Sequence, residues 1–264
     1  MTSLTPAQTK AASELLLAHW REGRHTGELP PELRPSSRAE GYAIQRLMEP
    51  PGARLRGWKI AATSVAGQQH INVDGPLAGR LLDDHVVPEG APMALRANRM
   101  LVAEIEFVFR MDRTLAPRPE AFTADEVMAA VAALHLGVEF PDSRYLDFTA
   151  VGAAQLIADD ACADRFVLGP EVAGSWRERD LAAHAVQGRT AGGIVHDGRG
   201  ARVLGDPRLA LTWLANELSR HGDTLGEGQF VTTGTCLVPL PIIPGEVVTA
   251  DYGDFGSLQV RLIA

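Results

Sequence analysis

The chain has 264 residues, a formal net charge of −8 and a hydrophobic content of 45%. This length and composition allow a large buried core and exclude general disorder. The negative charge, without clustered Lys and Arg, excludes a nucleic-acid backbone as the main partner, and no apolar run approaches the roughly 18 residues of a membrane helix. Cys162 and Cys236 lack CxxC spacing, so we expect a cytoplasmic protein without a zinc site or disulfide framework.

The first 50 residues carry the signals of two helices. The first, in "TPAQTKAASELLLAHWREG", has Thr5 as its cap and Gly23 as its terminator. The second, in "SSRAEGYAIQRLMEPPG", has a predicted capping box from Ser37 to Glu40 and is stopped by the prolines. We therefore expect residues 1–52 to form a small helical N-terminal subdomain.

The remainder, residues 53–264, alternates short apolar runs with Gly, Pro and Asp, which favours strands and turns. One helix is predicted in "FTADEVMAAVAALHLG", ending at Gly137, and another in "DPRLALTWLANELSRHG", capped by Asp206. The predicted strands are "ANRMLVAEIEFVFRMD", "DRFVLGP", "LAAHAVQGR", "GGIVHDG" and "QFVTTGT", followed by a closing hairpin in "GEVVTADYGDFGSLQVRLIA". The fold class is α+β, with a mixed β-sheet body, and residues 1–264 are expected to form a single catalytic domain.

The most informative constellation of side chains is acidic. In "LVAEIEFVF", Glu104 and Glu106 are two residues apart, so on a strand they share a face, roughly 7 Å apart. An edge strand with one face in water would explain them as well. Val102 and Val108 flank them on that same face, however, so the two acids interrupt an apolar stripe and need a cation.

A third acid, Glu139, lies in "LGVEFPDSR", at the predicted exit of a helix, and has the same need for a partner. Three carboxylates without histidine or cysteine would form a hard oxygen site that suits Mg²⁺ or Mn²⁺. Lys59 is a candidate fourth member because it is one of only two lysines and lies in an apolar setting, where burial can lower the pKa of an ammonium. Its alternative role is a stem laid on the core with the ammonium in water.

The order and spacing of many short segments resemble the fumarylacetoacetate hydrolase superfamily, in its branch of 2-keto-4-pentenoate hydratases and 2-oxo-3-hexenedioate decarboxylases. The resemblance covers nearly the whole chain and rests on "GYAIQ", "GWKIAATS", "GRLLDD", "AEIEFVF", "VEFPDSRYLDF", "IADDACADRFVLG", "LGDPRLALTWLANEL", "VTTGT" and "PGEVVTADYGDFGSLQV". It implies a body of the C-terminal-domain type of that superfamily, with Glu104, Glu106 and Glu139 as ligands of Mg²⁺ or Mn²⁺ and Lys59 as a catalytic residue beside the substrate. Segments that line the same pocket match Thr63, Ser64, Leu77, Asp160, Thr233 and Thr235.

The resemblance also implies a function in the breakdown of aromatic compounds through meta-cleavage. We expect a metal-dependent hydratase that adds water to a small 2-hydroxy-dienoate or 2-keto-enoate, with decarboxylation of 2-oxo-3-hexenedioate as the alternative. A hydrolase of acylpyruvate type is disfavoured because no lysine follows Lys59, and a non-catalytic metabolite-binding relative would be favoured if the three glutamates failed to converge. The partner is a small 2-keto acid, and the resemblance implies a homo-oligomer.

Two positions depart from the pattern of that branch. Hydratases tend to have an acid where this chain has Leu77, whereas the decarboxylases have an apolar residue there. Leu77 therefore favours decarboxylation. Asp74, three residues earlier, could supply a carboxylate by another route. The family usually has asparagine where this chain has Asp160, so the pocket could hold an unusual substrate or an additional hydrogen-bonded acid.

Overall fold

The computed structural model of the chain describes residues 3–264. These residues form six α-helices and thirteen β-strands. The helices are α1 (Pro6–Glu22), α2 (Arg38–Gln45), α3 (Val65–His70), α4 (Ala124–Ala129), α5 (Gly152–Ala158) and α6 (Pro207–Arg220). The strands are β1 (Leu55–Ala61), β2 (Leu77–Leu82), β3 (Val86–Val87), β4 (Met93–Ala94), β5 (Val102–Met111), β6 (Val131–Phe140), β7 (Arg165–Glu171), β8 (Ala185–Thr190), β9 (Val195–Arg199), β10 (Phe230–Thr235), β11 (Leu240–Pro241), β12 (Val247–Asp251) and β13 (Ser257–Ile263).

The strands form two mixed sheets. The larger has eight strands, seven of them in the order β2-β1-β10-β5-β6-β7-β3, and β11 adds to β5. The smaller has the order β4-β13-β12-β8-β9. Most neighbouring strands are antiparallel, but β1 runs parallel to β10. This arrangement confirms the predicted α+β class with a mixed β body. Between residues 3 and 264, no helix combines the length and apolar character needed to cross a bilayer.

The central strand β5 separates the main core from the acidic side chains. Ala103, Ile105, Phe107 and Phe109 are all fully buried in one apolar cluster, to which the second sheet and α6 also contribute. Successive side chains of a strand point to opposite faces, so the even-numbered residues of β5 lie on the other face of the sheet. The alternation read from "LVAEIEFVF" is therefore confirmed.

The N-terminal helices form as predicted, with one difference in a cap. Thr5 makes a complete capping box at the start of α1, and Gly23 ends that helix with a left-handed φ of 62°. Ser37 caps α2 by accepting from the amide of Glu40. The carboxylate of Glu40 accepts instead from the amides of Leu4 and Ser36, so only half of the predicted second capping box forms.

The predicted helix over "FTADEVMAAVAALHLG" is wrong in its second half. Thr123 and Glu126 form the expected capping box, but α4 ends at Ala129 and strand β6 begins at Val131. A run of Ala, Val and Leu is compatible with either structure, and here the hydrogen bonds of β6 to β5 on one side and β7 on the other decide for the strand. Glu139 therefore lies within a strand rather than at a helix exit.

The other predicted elements of the second half form as expected. Asp206 caps α6, accepting from the amide of Arg208, and Pro207 takes the first helical position. The closing hairpin is the antiparallel pair β12 and β13.

Gly57 lets β1 approach β10 closely. A Cβ at this position would overlap the carbonyl oxygen of Phe230, its partner in the parallel pair. We expect Gly57→Ala to lower the free energy of unfolding by about 1–3 kcal/mol, because the two strands must separate. Urea denaturation followed by tryptophan fluorescence measures the change.

Gly27→Ala is the matched control for this substitution. A Cβ at Gly27 has no neighbour within 4 Å, and its φ is not left-handed. We expect a change of less than about 1 kcal/mol there. Equal effects at the two glycines would contradict the close approach of β1 to β10.

Candidate metal centre

Three glutamates converge on one face of the large sheet. In the antiparallel register of β5 and β6, Glu104 lies directly opposite Glu139, and Glu106 follows two residues along β5. One carboxylate oxygen from each of the three lies within 4.8 Å of the others. Glu106 and Glu139 are fully buried and Glu104 is half-buried. The strand alternation and the pairing of β5 with β6 thus place three acids where a single cation could bind all of them.

Strand β10 and the second sheet hold Glu106 in position. Its Oε2 accepts from the Thr232 hydroxyl and from the Gly234 amide at 2.6 Å. Its carbonyl oxygen accepts from the Tyr252 hydroxyl at 2.7 Å. Its second carboxylate oxygen, Oε1, is buried and has no hydrogen-bond partner within residues 3–264. One oxygen is therefore fixed by the protein, and the other remains available to a cation.

Lys59 lies in β1 and is also buried, with only 2% of its side chain exposed. Its Nζ is 2.9 Å from Glu139 Oε1 and donates to the carbonyl of Ala161 at 2.9 Å. Across the β1–β2 pair stands Gly79, where a Cβ would lie 2.8 Å from Lys59 Cδ. The absence of a side chain at Gly79 therefore leaves room for the lysine stem. Snorkelling to water, the alternative role of this lysine, does not occur.

All three glutamates have raised pKa values. Burial raises the pKa of Glu139 to about 7, although the charge of Lys59 opposes the rise. Burial also raises the pKa of Glu104, and burial together with the charges of Glu139 and Glu104 raises the pKa of Glu106 well above its ordinary value. At each of the three carboxylates burial thus outweighs the opposing effect of the Lys59 charge.

The residues present fit a divalent cation such as Mg²⁺. Glu106 Oε1 and Glu139 Oε2 are buried oxygens without a hydrogen-bond partner among residues 3–264, and unsatisfied buried carboxylate oxygens are costly. The donor set consists of carboxylate oxygens, which suit Mg²⁺ or Mn²⁺ rather than a soft metal. Two residues of the cluster therefore offer the type of ligand atom that such an ion requires.

The expectation that burial lowers the pKa of Lys59 is wrong. Burial does act in that direction, but the charges of Glu139 and Glu104 outweigh it, so the pKa of Lys59 lies above its ordinary value. The sequence showed the apolar setting of the lysine but not the carboxylates that surround it in the fold.

Thr63 and Asp160 lie close to the cluster. A Cβ at Gly234, whose amide holds Glu106, would overlap the Thr63 side chain, so the two residues are in direct contact. Asp160 Oδ1 accepts from the amide of Arg80, next to Gly79. Burial raises the pKa of Asp160 to about 7. Both residues therefore border the site that holds Lys59 and Glu106.

The other predicted pocket residues each have a structural role in their own segment, as a helix cap, a buried side chain or a hydrogen-bond donor. Ser64 caps α3 by accepting from the amide of Gly67 at 3.0 Å. Leu77 is fully buried in β2, opposite Ala61 of β1. The hydroxyls of Thr233 and Thr235 donate to the carbonyls of Phe107 and Leu237. Their contact with a substrate stays a prediction.

Four residues that shape the site escaped the sequence analysis. Thr232 and Tyr252 hold Glu106, Gly79 gives space to Lys59, and the carbonyl of Ala161 binds its ammonium. The one indication of Thr232 in the sequence is that it precedes Thr233, a predicted pocket residue of the same segment. The alternation of side chains along a strand would have placed Thr232 beside Glu106 only if the pairing of β10 with β5 had been known.

Comparison with known proteins agrees with this geometry. Residues 70–263 match the model of the family described as fumarylacetoacetate (FAA) hydrolase, C-terminal. The chain is 32% identical over 225 residues to a 4-oxalocrotonate decarboxylase of Pseudomonas sp. (strain CF600), covering 84% of this chain and 83% of that protein. It is 30% identical over 264 residues to a 2-keto-4-pentenoate hydratase of Paraburkholderia xenovorans (strain LB400), covering 98% and 96%.

A solved structure extends the likeness to three dimensions. The 4-oxalocrotonate decarboxylase from Pseudomonas putida G7, complexed with magnesium and adipate, superimposes with a TM-score of 0.89 at 28% identity, over 100% of both chains. With the family match over residues 70–263 and relatives at 30% identity or more along most of their length, the chain belongs to the fumarylacetoacetate hydrolase family.

Proposed function

We propose that the chain is a divalent-metal-dependent lyase that acts on a short 2-keto acid. The observation that carries this proposal is the convergence of Glu104, Glu106 and Glu139 within 4.8 Å, with the Lys59 ammonium 2.9 Å from one of them. These glutamates would hold Mg²⁺ or Mn²⁺, and a related decarboxylase of the same fold has been solved with magnesium. Their convergence counts against a non-catalytic relative.

The site suits chemistry in which negative charge develops on the 2-oxygen of a keto acid. A bound divalent cation would supply electrostatic stabilisation for that charge. Lys59 has three N–H donors, of which Glu139 and the Ala161 carbonyl occupy two, so one remains to bind the substrate or transfer a proton. The pKa of Lys59 would fall if the same carboxylates also held a divalent cation, because the ammonium and the divalent cation would then share them.

Hydration of a 2-hydroxy-dienoate is the activity that we favour. Hydration adds OH and H across a C=C bond and acts on a substrate with one carboxylate. A diacid would need a second cationic partner, but two buried arginines beside the site are already engaged, Arg144 by Asp159 and Arg80 by Glu49. The full-length similarity to a hydratase, over 98% of the chain, supports the same activity.

Decarboxylation of 2-oxo-3-hexenedioate is the second candidate. It breaks a C–C bond, releases CO₂ and leaves a proton in its place. The specific observation that favours it is Leu77, a fully buried apolar residue where hydratases resembling this chain tend to have an acid. Asp74 does not replace that acid, because its carboxylate is 82% exposed and pairs with Arg38 at 2.6 Å.

We further propose that Thr63, Ser64, Leu77, Asp160, Thr233 and Thr235 belong to the pocket around this centre. The contact of Thr63 with Gly234 and the approach of both Asp160 and Lys59 to Gly79 support Thr63 and Asp160 as members of this pocket. The single catalytic domain, its boundary near residue 52, the homo-oligomeric state and the cytoplasmic location stay predictions.

Turnover with and without metal tests the proposed function. We expect the protein to hydrate 2-hydroxypenta-2,4-dienoate with Mg²⁺, to lose this activity in EDTA and to regain it when Mg²⁺ is added, as followed by the absorbance of the dienoate. Activity that survives EDTA would remove the metal from the mechanism. A higher kcat/KM for CO₂ release from 2-oxo-3-hexenedioate would instead establish the decarboxylase.

Lys59→Arg tests the role of the ammonium. We expect kcat to fall by about 10²-fold or more, because the planar guanidinium is bulkier and does not give up a proton. Lys10→Arg is the matched control, since Lys10 is exposed and pairs with the exposed Glu14 on the surface of α1. Thermal unfolding of both variants checks that they fold, and a fully active Lys59→Arg enzyme would contradict the role of Lys59.

The affinity for metal should depend on pH. Cation binding requires ionised carboxylates, and the pKa of Glu139 is raised to about 7. We therefore expect the Kd for Mn²⁺, measured by calorimetry, to fall by about fivefold from pH 6 to pH 7 and by about a further twofold above pH 7, as Glu139 loses its proton. The raised pKa of Glu139 also predicts how the stability of the metal-free protein depends on pH. Its free energy of unfolding should decline as the pH rises from 4.5 towards about 7, because the folded state binds the proton more tightly than the unfolded state does. A pH-independent Kd would contradict these assignments.

A further inference from the structure

Next to the metal centre lies a short turn with an unusual backbone. Asp160, Ala161 and Cys162 have φ angles of 56°, 49° and 63°, so three consecutive residues with side chains are left-handed. Residues other than glycine rarely adopt this conformation, and then mostly singly. All three are buried. Such a turn persists only where its surroundings hold it in place.

Two adjacent aspartates connect this turn to the strands and segments next to Lys59 and Glu139. Asp159 accepts from the Ser143 hydroxyl at 2.6 Å and pairs with Arg144, in the segment that directly follows β6 and therefore Glu139. Asp160 accepts from the amide of Arg80 at 2.6 Å, in β2, which pairs with the strand of Lys59. The turn is thus fastened to both sides of the ion pair between lysine and glutamate.

The middle of the turn binds the lysine itself. The Ala161 carbonyl accepts from Lys59 Nζ at 2.9 Å. Gly79 lies between the turn and the lysine stem, and a Cβ there would overlap the Asp160 carbonyl oxygen and lie 2.9 Å from Lys59 Cγ. The turn, Gly79 and the stem therefore pack without free space, and a displacement of the turn would displace the ammonium.

We infer that Asp160 is a positioning residue: its carboxylate holds the left-handed turn on β2, so that the Ala161 carbonyl fixes the ammonium of Lys59 beside Glu139. This role needs a hydrogen-bond acceptor at Asp160 and not a negative charge. It differs from the substrate contact expected from the sequence and from proton transfer by Asp160. Its effect on turnover rests on the proposed function, whereas its effect on the geometry of Lys59 does not.

The scarcity of lysine allows this geometry to be observed directly. The chain has two lysines, so Lys10→Arg with lysine labelled by ¹⁵N at Nζ leaves the Lys59 ammonium as the only lysine signal in an NMR spectrum. In this background we expect a slowly exchanging ammonium. Asp160→Ala should raise its exchange rate with water by at least about tenfold, because Lys59 loses its fixed acceptor. Asp160→Asn should leave the rate within about twofold, since the amide carbonyl still accepts from Arg80.

Kinetics with Mg²⁺ provide the second readout. We expect Asp160→Ala to lower kcat by at least about tenfold while KM stays within about twofold, and Asp160→Asn to restore kcat with an unchanged pH profile. Asp147→Ala is the control, because this exposed aspartate accepts from Thr149 in a surface turn, and it should change neither readout.

Several outcomes would overturn the inference. An Asp160→Asn variant that loses activity or shifts the pH profile would show that the charge or proton of Asp160 is used. A rise in KM alone would show a contact with substrate. An unchanged Lys59 signal in Asp160→Ala would remove the positioning role, and if that variant fails to fold, Asp160→Asn still decides. Absence of turnover in the wild-type protein would refute the proposed function but leave the NMR result valid.

Discussion

The central physical constraint in this protein is the burial of three carboxylates beside a single ammonium. Glu106, Glu139 and Lys59 have almost no contact with solvent, and Glu104 is half-buried. One ammonium cannot compensate three ionised acids, so two negative charges remain in a region of low dielectric. Burial of uncompensated charge is among the most unfavourable arrangements in a protein. The metal-free protein can respond by binding protons, as the raised pKa values indicate, and a divalent cation matches the remaining charge.

The large sheet makes this arrangement possible. Four adjacent strands contribute to the site. Strand β1 carries Lys59, and β10 carries groups that hold Glu106. Strand β5 carries Glu104 and Glu106, and β6 carries Glu139. These side chains come from positions that are far apart in the sequence, but on neighbouring strands they are held by a rigid backbone. The face of β5 opposite the acids is packed in the main core. The stability of that core therefore supports the unfavourable electrostatics of the centre.

Much of the site could be predicted because its chemistry conflicts with its surroundings. Glu104 and Glu106 stand out in an apolar strand, and Lys59 stands out in a chain that otherwise uses arginine. The sequence did not reveal partners that depend on pairing between distant strands. Strand β6 was predicted as a helix because its alanines and leucines suit both structures, and the pairing with β5 and β7 decides between them. The predicted direction of the pKa shift of Lys59 was wrong for the same reason, because the shift depends on acids that only the fold brings near the lysine.

The hydrogen bonds of Thr232 and Tyr252 illustrate the limit of prediction from sequence. Thr232 acts on Glu106 from β10 and Tyr252 from the residue that follows β12, and no local pattern marks either of them. Asp160 is intermediate: the sequence indicated a pocket residue, whereas its bond to the Arg80 amide connects it with the backbone beside Lys59.

A crystal structure with Mn²⁺, in which anomalous scattering locates the metal, tests the proposed metal centre most directly. We expect one strong anomalous peak in contact with carboxylate oxygens of Glu104, Glu106 and Glu139, with Lys59 in the same cavity. A peak elsewhere, or no peak at these glutamates when they are ionised and Mn²⁺ is in excess, would contradict the central claim that the buried acids form a metal centre.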